Sequence, residues 1–189
     1  AGEALPAALL AQWRDVTGLE LHEALGMSEV STFVSSGPAT PVRPGSPGRP
    51  QPGRCVAVLP VDGGVEPLPP GETGLLAVHR TDPGLMLGYW RRPDEQAQVM
   101  RGKWFVGGDI VDIGPDGYVT FHGRADDVMN AMGYRVSPIE VEDCLARHPS
   151  VAEVGVTEVE VRPGVRIIAA FVVPVDADSQ NASAPYKRR

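Results

Sequence analysis

No apolar run in this sequence approaches the ~18 residues that a membrane-spanning helix requires, so no membrane span is expected. Basic charge is in deficit: 17 Lys and Arg stand against 24 Asp and Glu, a formal net charge of −7. Nucleic-acid surfaces need clustered cations, so no nucleic-acid partner is expected. Cysteine is scarce. Cys55 and Cys144 lie far apart, match no metal or redox spacing, and are expected as isolated buried thiols. His22, His79, His122 and His148 form no pair with Cys or His at ligand spacing, which argues against a zinc site. There is no GxSxG elbow and no GxxxxGK phosphate loop. Aromatics make up 6%, and Trp90, Trp104 and Tyr134 read as core or cleft wall rather than a base-stacking platform. The opening AGEALPAALLAQW lacks a basic start and is broken by Glu3 and Pro6, so it does not read as a signal peptide. A cytoplasmic location is the expectation.

Glycine and proline are abundant, 22 and 19 in 189 residues, which favours short strands and many turns. Leu5, Leu9, Leu10 and Trp13 recur at helical spacing about a helix expected over Pro6 to Thr17, and Gly18 closes it. Ser35 to Pro52 is rich in Pro and Gly without periodicity and reads as loop. Strands are expected at Cys55–Pro60, Leu75–His79 and Lys103–Val106, the last ending at Gly107-Gly108-Asp109 and continued by Ile110–Ile113. Asp116-Gly117 turns the chain into a returning strand, Tyr118–His122, so this part reads as an antiparallel meander. Past Gly123 the pattern changes. Ser137-Pro138 with Glu140 gives a capping-box signature for a helix whose buried stripe would be Ile139, Val141, Cys144 and Leu145. Val151–Val161 and Val165–Pro174 read as strands, and Asp176–Pro185 as a polar, flexible tail. The fold class is α+β.

Three groups can carry chemistry. In Leu25-Gly26-Met27-Ser28-Glu29 a glycine lets backbone approach a ligand, Ser28 can donate to a phosphate oxygen, and Glu29 can hold Mg²⁺; the plain alternative is a loop with a helix cap. Asp109 follows two glycines and can accept from a pair of ribose hydroxyls, or can simply satisfy a turn or bulge. Arg124 suits phosphate or carboxylate, or pairs with Asp126 or Asp127. Hairpin geometry can bring Asp109 and Arg124 into one cleft.

On these motifs, in this order, the chain resembles the acyl-CoA synthetases of the adenylate-forming (AMP-binding) superfamily. Gly26-Met27-Ser28-Glu29 is similar to the family's Gly-x-Thr-Glu, with Ser28 for Thr, although Leu25 stands where an adenine-packing aromatic is usual. Gly71-Glu72-Thr73-Gly74 and Gly88-Tyr89-Trp90 also fit, and Trp104-Phe105-Val106-Gly107-Gly108-Asp109 matches with Gly107 for Thr. Gly123 to Glu142 is the closest match. The resemblance implies residues 1–124 as the end of the large domain, mainly antiparallel β in a distorted barrel, and 125–189 as a small, mobile α/β C-terminal domain. It implies ATP or AMP, Mg²⁺ and coenzyme A as cofactors. Catalytic roles fall on Ser28, Glu29 and Asp126, with Glu29 on the metal and Asp126 as the hinge. Gly26, Met27, Ser28, Asp109 and Arg124 would contact nucleotide, and Gly133, Tyr134 and Arg135 would line the pantetheine tunnel.

The implied reaction activates a fatty or aromatic carboxylic acid as acyl-AMP and transfers it to coenzyme A, within fatty acid metabolism. A homodimer is one assembly this class allows. The alternatives are transfer to a carrier-protein thiol, or a non-catalytic fragment that binds a nucleotide or a partner. The resemblance also implies a partial chain, inactive alone. The family's phosphate loop would precede Ala1, and its catalytic lysine, which Lys187 is not, would follow Arg189.

Overall fold

A computed structural model describes Leu5 and residues 7–131, 134–162 and 165–175. The chain forms two compact units, Ala1–Ala125 and Asp126–Arg189. The architecture is mixed α+β, and no helix among the described residues is long and apolar enough to cross a membrane.

In the first unit, helix α1 (Ala7–Thr17) buries Leu10 and leaves Leu9 and Trp13 partly exposed. It closes at Gly18, whose N–H donates to the Arg14 carbonyl. Strands β1 (Ala24–Met27), β2 (Ser31–Ser35) and β3 (Arg49–Pro50) form an antiparallel sheet. A five-stranded antiparallel sheet follows: β4 (Val56–Leu59), β5 (Gly74–His79), β6 (Met100–Arg101), β7 (Trp104–Ile113) and β8 (Val119–Arg124), with helix α2 (Pro93–Gln98) leading into β6. β5 lies along one edge of β7, while β6 and β8 share the other edge, one near each end.

β5 explains where the core sits. Its sequence GLLAVH is buried at five consecutive positions, as expected of a strand covered on both faces. Leu76 and Val78 face one cluster, with Val30, Phe33, Val34, Val58, Phe105, Val111 and Val119. Leu75 and Ala77 face the other, with Leu59, Trp104 and Val106. Each fully buried side chain of this size contributes about 1.5–3 kcal/mol. The distorted barrel expected from the resemblance is not closed among the described residues. Among those residues β1 and β4 are edge strands with one neighbour each. The two sheets pack together through the cluster that joins Phe33 and Val34 to Leu76, Phe105 and Val119, and a bridge between Gly48 and Val119 links their backbones.

β7 runs as one strand of ten residues, with the expected continuation over Ile110–Ile113; its register against β5 shifts across Gly107-Gly108-Asp109. Two local expectations change. A strand occupies Ala24–Met27, where the sequence reads as turn, because β2 supplies its hydrogen-bonding partner. Cys55 is exposed rather than buried: it precedes β4.

The second unit holds the pair β9 (Met129–Ala131) and β10 (Tyr134–Val136), helix α3 (Pro138–Ala146) and the long hairpin β11 (Val151–Arg162) and β12 (Val165–Pro174). Ser137 caps α3 with extended backbone and Pro138 begins it, but the side-chain cap bond of the expected capping box does not form. The expected buried stripe does not form either. Among the described residues α3 packs mainly against β11; Ile139, Val141 and Leu145 are half-buried and Cys144 is exposed. Glu142 ties the helix down by accepting the Val156 N–H at 2.7 Å. The tail at 176–185 lies outside the described residues.

Candidate functional site

Two parts of the first unit gather the residues singled out above. The first is the turn Ser28–Val30 between β1 and β2. It is closed by the Val30 N–H donating to the Met27 carbonyl at 3.1 Å. Ser28 is exposed, and its hydroxyl makes no hydrogen bond to the described residues. Glu29 is held from two directions. Its carbonyl accepts the Met86 N–H at 2.6 Å, and its Oε1 accepts the Tyr89 hydroxyl at 2.7 Å. The bond to that carboxylate, with burial and its charge adding to it, pushes the Tyr89 hydroxyl up to about 12. The Tyr89 N–H in turn donates to the Gln96 side chain on α2 at 3.0 Å. Sequence reasoning matched Gly88-Tyr89-Trp90 to a motif but gave Tyr89 no role; a hydroxyl-bearing ring beside a glycine was the only signal.

The second part is the β7–β8 pair. Register sets Asp109 directly opposite Arg124. The pairing steps from Ile110↔Gly123 to Val111↔Phe121, so His122 is an extra, bulged residue. Gly123, at φ +117°, provides the backbone conformation there. Without the extra residue Arg124 would face Gly108. Instead the Ala125 N–H donates to the Gly108 carbonyl at 2.7 Å, and Arg124 Nη1 lies 3.4 Å from Asp109 Oδ1. The carboxylate is buried and the guanidinium half exposed, so the pair presents a fixed acceptor and a reachable cation. On the bulge, His122 Nε2 meets Asp112 Oδ2 at 2.7 Å.

Met27 connects the two parts. A side-chain carbon at position 107 would lie 2.8 Å from its sulfur and 3.0 Å from its methyl. The thioether therefore rests on the bare backbone of β7, two residues from Asp109. Gly26, Met27, Ser28, Glu29, Asp109 and Arg124 thus belong to one unit. The remaining predicted site residues fall in the second unit. Asp126 opens the second unit and is exposed. Tyr134 and Arg135 lie on β10, their backbones paired with Ala131 and Asn130, and Gly133 is outside the described residues.

A buried node supports the loop that carries Tyr89. Asp82 accepts Arg54 Nη1 and the Gly84 N–H through Oδ1, at 2.7 and 2.8 Å, and the Cys55 N–H through Oδ2 at 3.1 Å. Burial alone would raise the Asp82 carboxyl; these donors outweigh it and hold it below the ordinary carboxylate range.

Residues 1–90 match the family model described as AMP-binding enzyme. The acyl-coenzyme A synthetase ACSM3, mitochondrial, of Homo sapiens is 36% identical over 176 residues, which is 92% of this chain and 30% of that protein. ATP-bound MatB from Rhodopseudomonas palustris superposes with a TM-score of 0.83 at 30% identity, over 97% of this chain and 35% of that one. A benzoate CoA ligase from Burkholderia xenovorans LB400 gives 0.77 at 31%, over 92% and 34%. The chain therefore spans about a third of the length of the proteins it matches. The cytoplasmic location expected from the sequence is corrected by the same finding: acyl-coenzyme A synthetases at 34–36% identity carry the word mitochondrial in their names.

Proposed function

The chain matches the AMP-binding superfamily, and from that premise we propose that it forms part of an ATP-dependent acid–thiol ligase that activates a carboxylic acid as acyl-AMP and passes it to coenzyme A. The observation that carries this reading is the join between the Ser28-Glu29 turn and the Asp109–Arg124 pair through Met27 and Gly107. A buried carboxylate beside a half-exposed guanidinium suits a ribose diol, with the carboxylate accepting both hydroxyls. The ligases named above, one of them ATP-bound, support the reaction class.

The residues present fit a divalent cation of the Mg²⁺ kind. Such an ion needs only one or two carboxylates, its other positions being filled by phosphate oxygens and water. Glu29 offers a carboxylate whose Oε2 has no hydrogen bond to the described residues, and Ser28 offers a hydroxyl on the same turn. The cation, when bound, offsets negative charge on the phosphates. In the reaction a carboxylate oxygen attacks the α-phosphorus and pyrophosphate leaves with the electrons of the broken P–O bond. The coenzyme A sulfur then attacks the acyl carbon, the C–O bond to AMP breaks, and the thiol proton is released. Asp109 and Arg124 hold the ribose, and the Ser28 hydroxyl donates to a phosphate oxygen. Asp126 is the pivot between half-reactions, a role supported by the unit boundary at Ala125/Asp126. Gly133, Tyr134 and Arg135 are proposed for the coenzyme A side, residues 1–124 for the large domain and 125–189 for the small one. The acid, fatty or aromatic, and a homodimeric state belong to the same proposal.

The test is acyl-CoA and AMP formation from a panel of acids by the natural polypeptide that carries this chain. Asp109→Ala, which removes both ribose acceptors, is expected to cut kcat/KM for ATP by ~10²-fold. Full activity in that variant would refute the ribose assignment. A second reading, a partner-binding module, is favoured by exposed Val16 and Leu19 next to half-exposed Leu9 and Trp13. It predicts nucleotide-independent capture of a protein partner and no acyl-AMP from any acid.

A further inference from the structure

The contact between Tyr89 and Glu29 has no part in the reaction as proposed, yet it joins residues sixty apart in sequence. Three bonds converge there. The Met86 N–H fixes the Glu29 main chain, the Tyr89 hydroxyl fixes one carboxylate oxygen, and Gln96 on α2 fixes the Tyr89 backbone. A glutamate on a turn otherwise samples several rotamers, and a cation that binds it must first select one. Carboxylates that ligate metals are commonly oriented by a hydrogen bond of this kind, and its loss weakens the metal site by roughly 10–100-fold.

We propose that Tyr89 is a positioning residue: its hydroxyl holds Glu29 Oε1 and so leaves Oε2 as the oxygen offered to a divalent cation. The loop that carries Met86 and Tyr89 thereby becomes part of the cation site. This rests on Glu29 being the cation ligand, as proposed above.

The experiment titrates Mn²⁺, followed by its electron paramagnetic resonance signal, into the natural polypeptide with ATP present, and separately measures ATP affinity without metal. Tyr89→Phe keeps the ring and removes only the hydroxyl. It is expected to weaken Mn²⁺ binding about tenfold while metal-free ATP binding and the melting temperature stay as in the wild type. Gln96→Ala, which frees Tyr89 from α2, should give a smaller loss in the same direction. Glu29→Gln serves to separate the two ideas. If it leaves Mn²⁺ binding intact, Glu29 is not the ligand and the proposal falls with that assignment. If Glu29→Gln abolishes binding and both other variants bind as wild type, the ligand stands and the role given to Tyr89 is overturned. Equal losses with and without metal in Tyr89→Phe would make the contact a matter of folding alone, and would also overturn it.

Discussion

Single side chains decide how this site is held, and Asp82 is the clearest case. It is fully buried, paired with a largely buried Arg54, and accepts two backbone N–H groups. Its folded-state pKa lies below the ordinary 3.8. A depressed carboxylate contributes stability that is fully present above its unfolded value and is lost as pH falls through the folded one. Asp82→Asn removes that charge and leaves Arg54 without its counter-ion, and breaking such a buried pair costs about 3–5 kcal/mol. Denaturant unfolding at neutral pH should show a loss of that order, and the gap between wild type and variant should narrow below pH ~3.8 as the wild-type carboxyl is protonated. A gap that stays constant through that range would show that Asp82 acts by packing and not by charge. The sequence offered no route to Asp82. Its meaning lies in partners 27 and 28 residues away, and no local spacing encodes them. Asp109 was legible because it sits after two glycines, and hairpin geometry pointed to its meeting with Arg124, which the structure shows; the bulge at His122 that sets them directly opposite is not revealed by hydrophobic pattern.

At the scale of elements, β7 and β8 show how the sheet positions chemistry. The turn at Asp116-Gly117 and the antiparallel return were readable from the residues, because turn composition and alternation are local signals. The course of β7 over 104–113 was readable too, and the register shift against β5 falls on its Gly107-Gly108-Asp109 segment, where glycine lets the strand bulge. Gly107 also stands where the resemblance leads one to expect threonine, and Met27 fills the space. Gly107→Thr should therefore displace the Met27 side chain, at a cost of about 1–3 kcal/mol in overpacking. Met27→Ala in the same chain should recover much of that cost, giving a coupling of about 0.5–3 kcal/mol in a double-mutant cycle. Strict additivity of the two changes would mean that Met27 does not rest on β7 in solution.

On the scale of the whole molecule, the two units differ in how completely their apolar residues are covered. The first has two buried clusters on the faces of β5 and β7. The second, among its described residues, buries few side chains, and Ile167, Phe171 and Val173 on β12 are about half exposed or more. The strands of this unit were evident from their β-branched runs, but the buried stripe expected on α3 was not realised, because helical periodicity says which residues share a face and not whether a neighbour covers it. The boundary between the units falls at the residue proposed as pivot, Asp126. In the proposed reaction the backbone there must adopt different dihedrals in the two half-reactions, whereas proline permits only φ near −65°. Asp126→Pro in the natural polypeptide should thus spare one half-reaction and impair the other. ATP–pyrophosphate exchange is expected within about threefold of wild type, while thioester formation from preformed acyl-AMP should fall by ~10-fold or more. Impairment of both steps by the same factor would place the residue in folding or in nucleotide binding, and the pivot would have to be sought elsewhere in the chain.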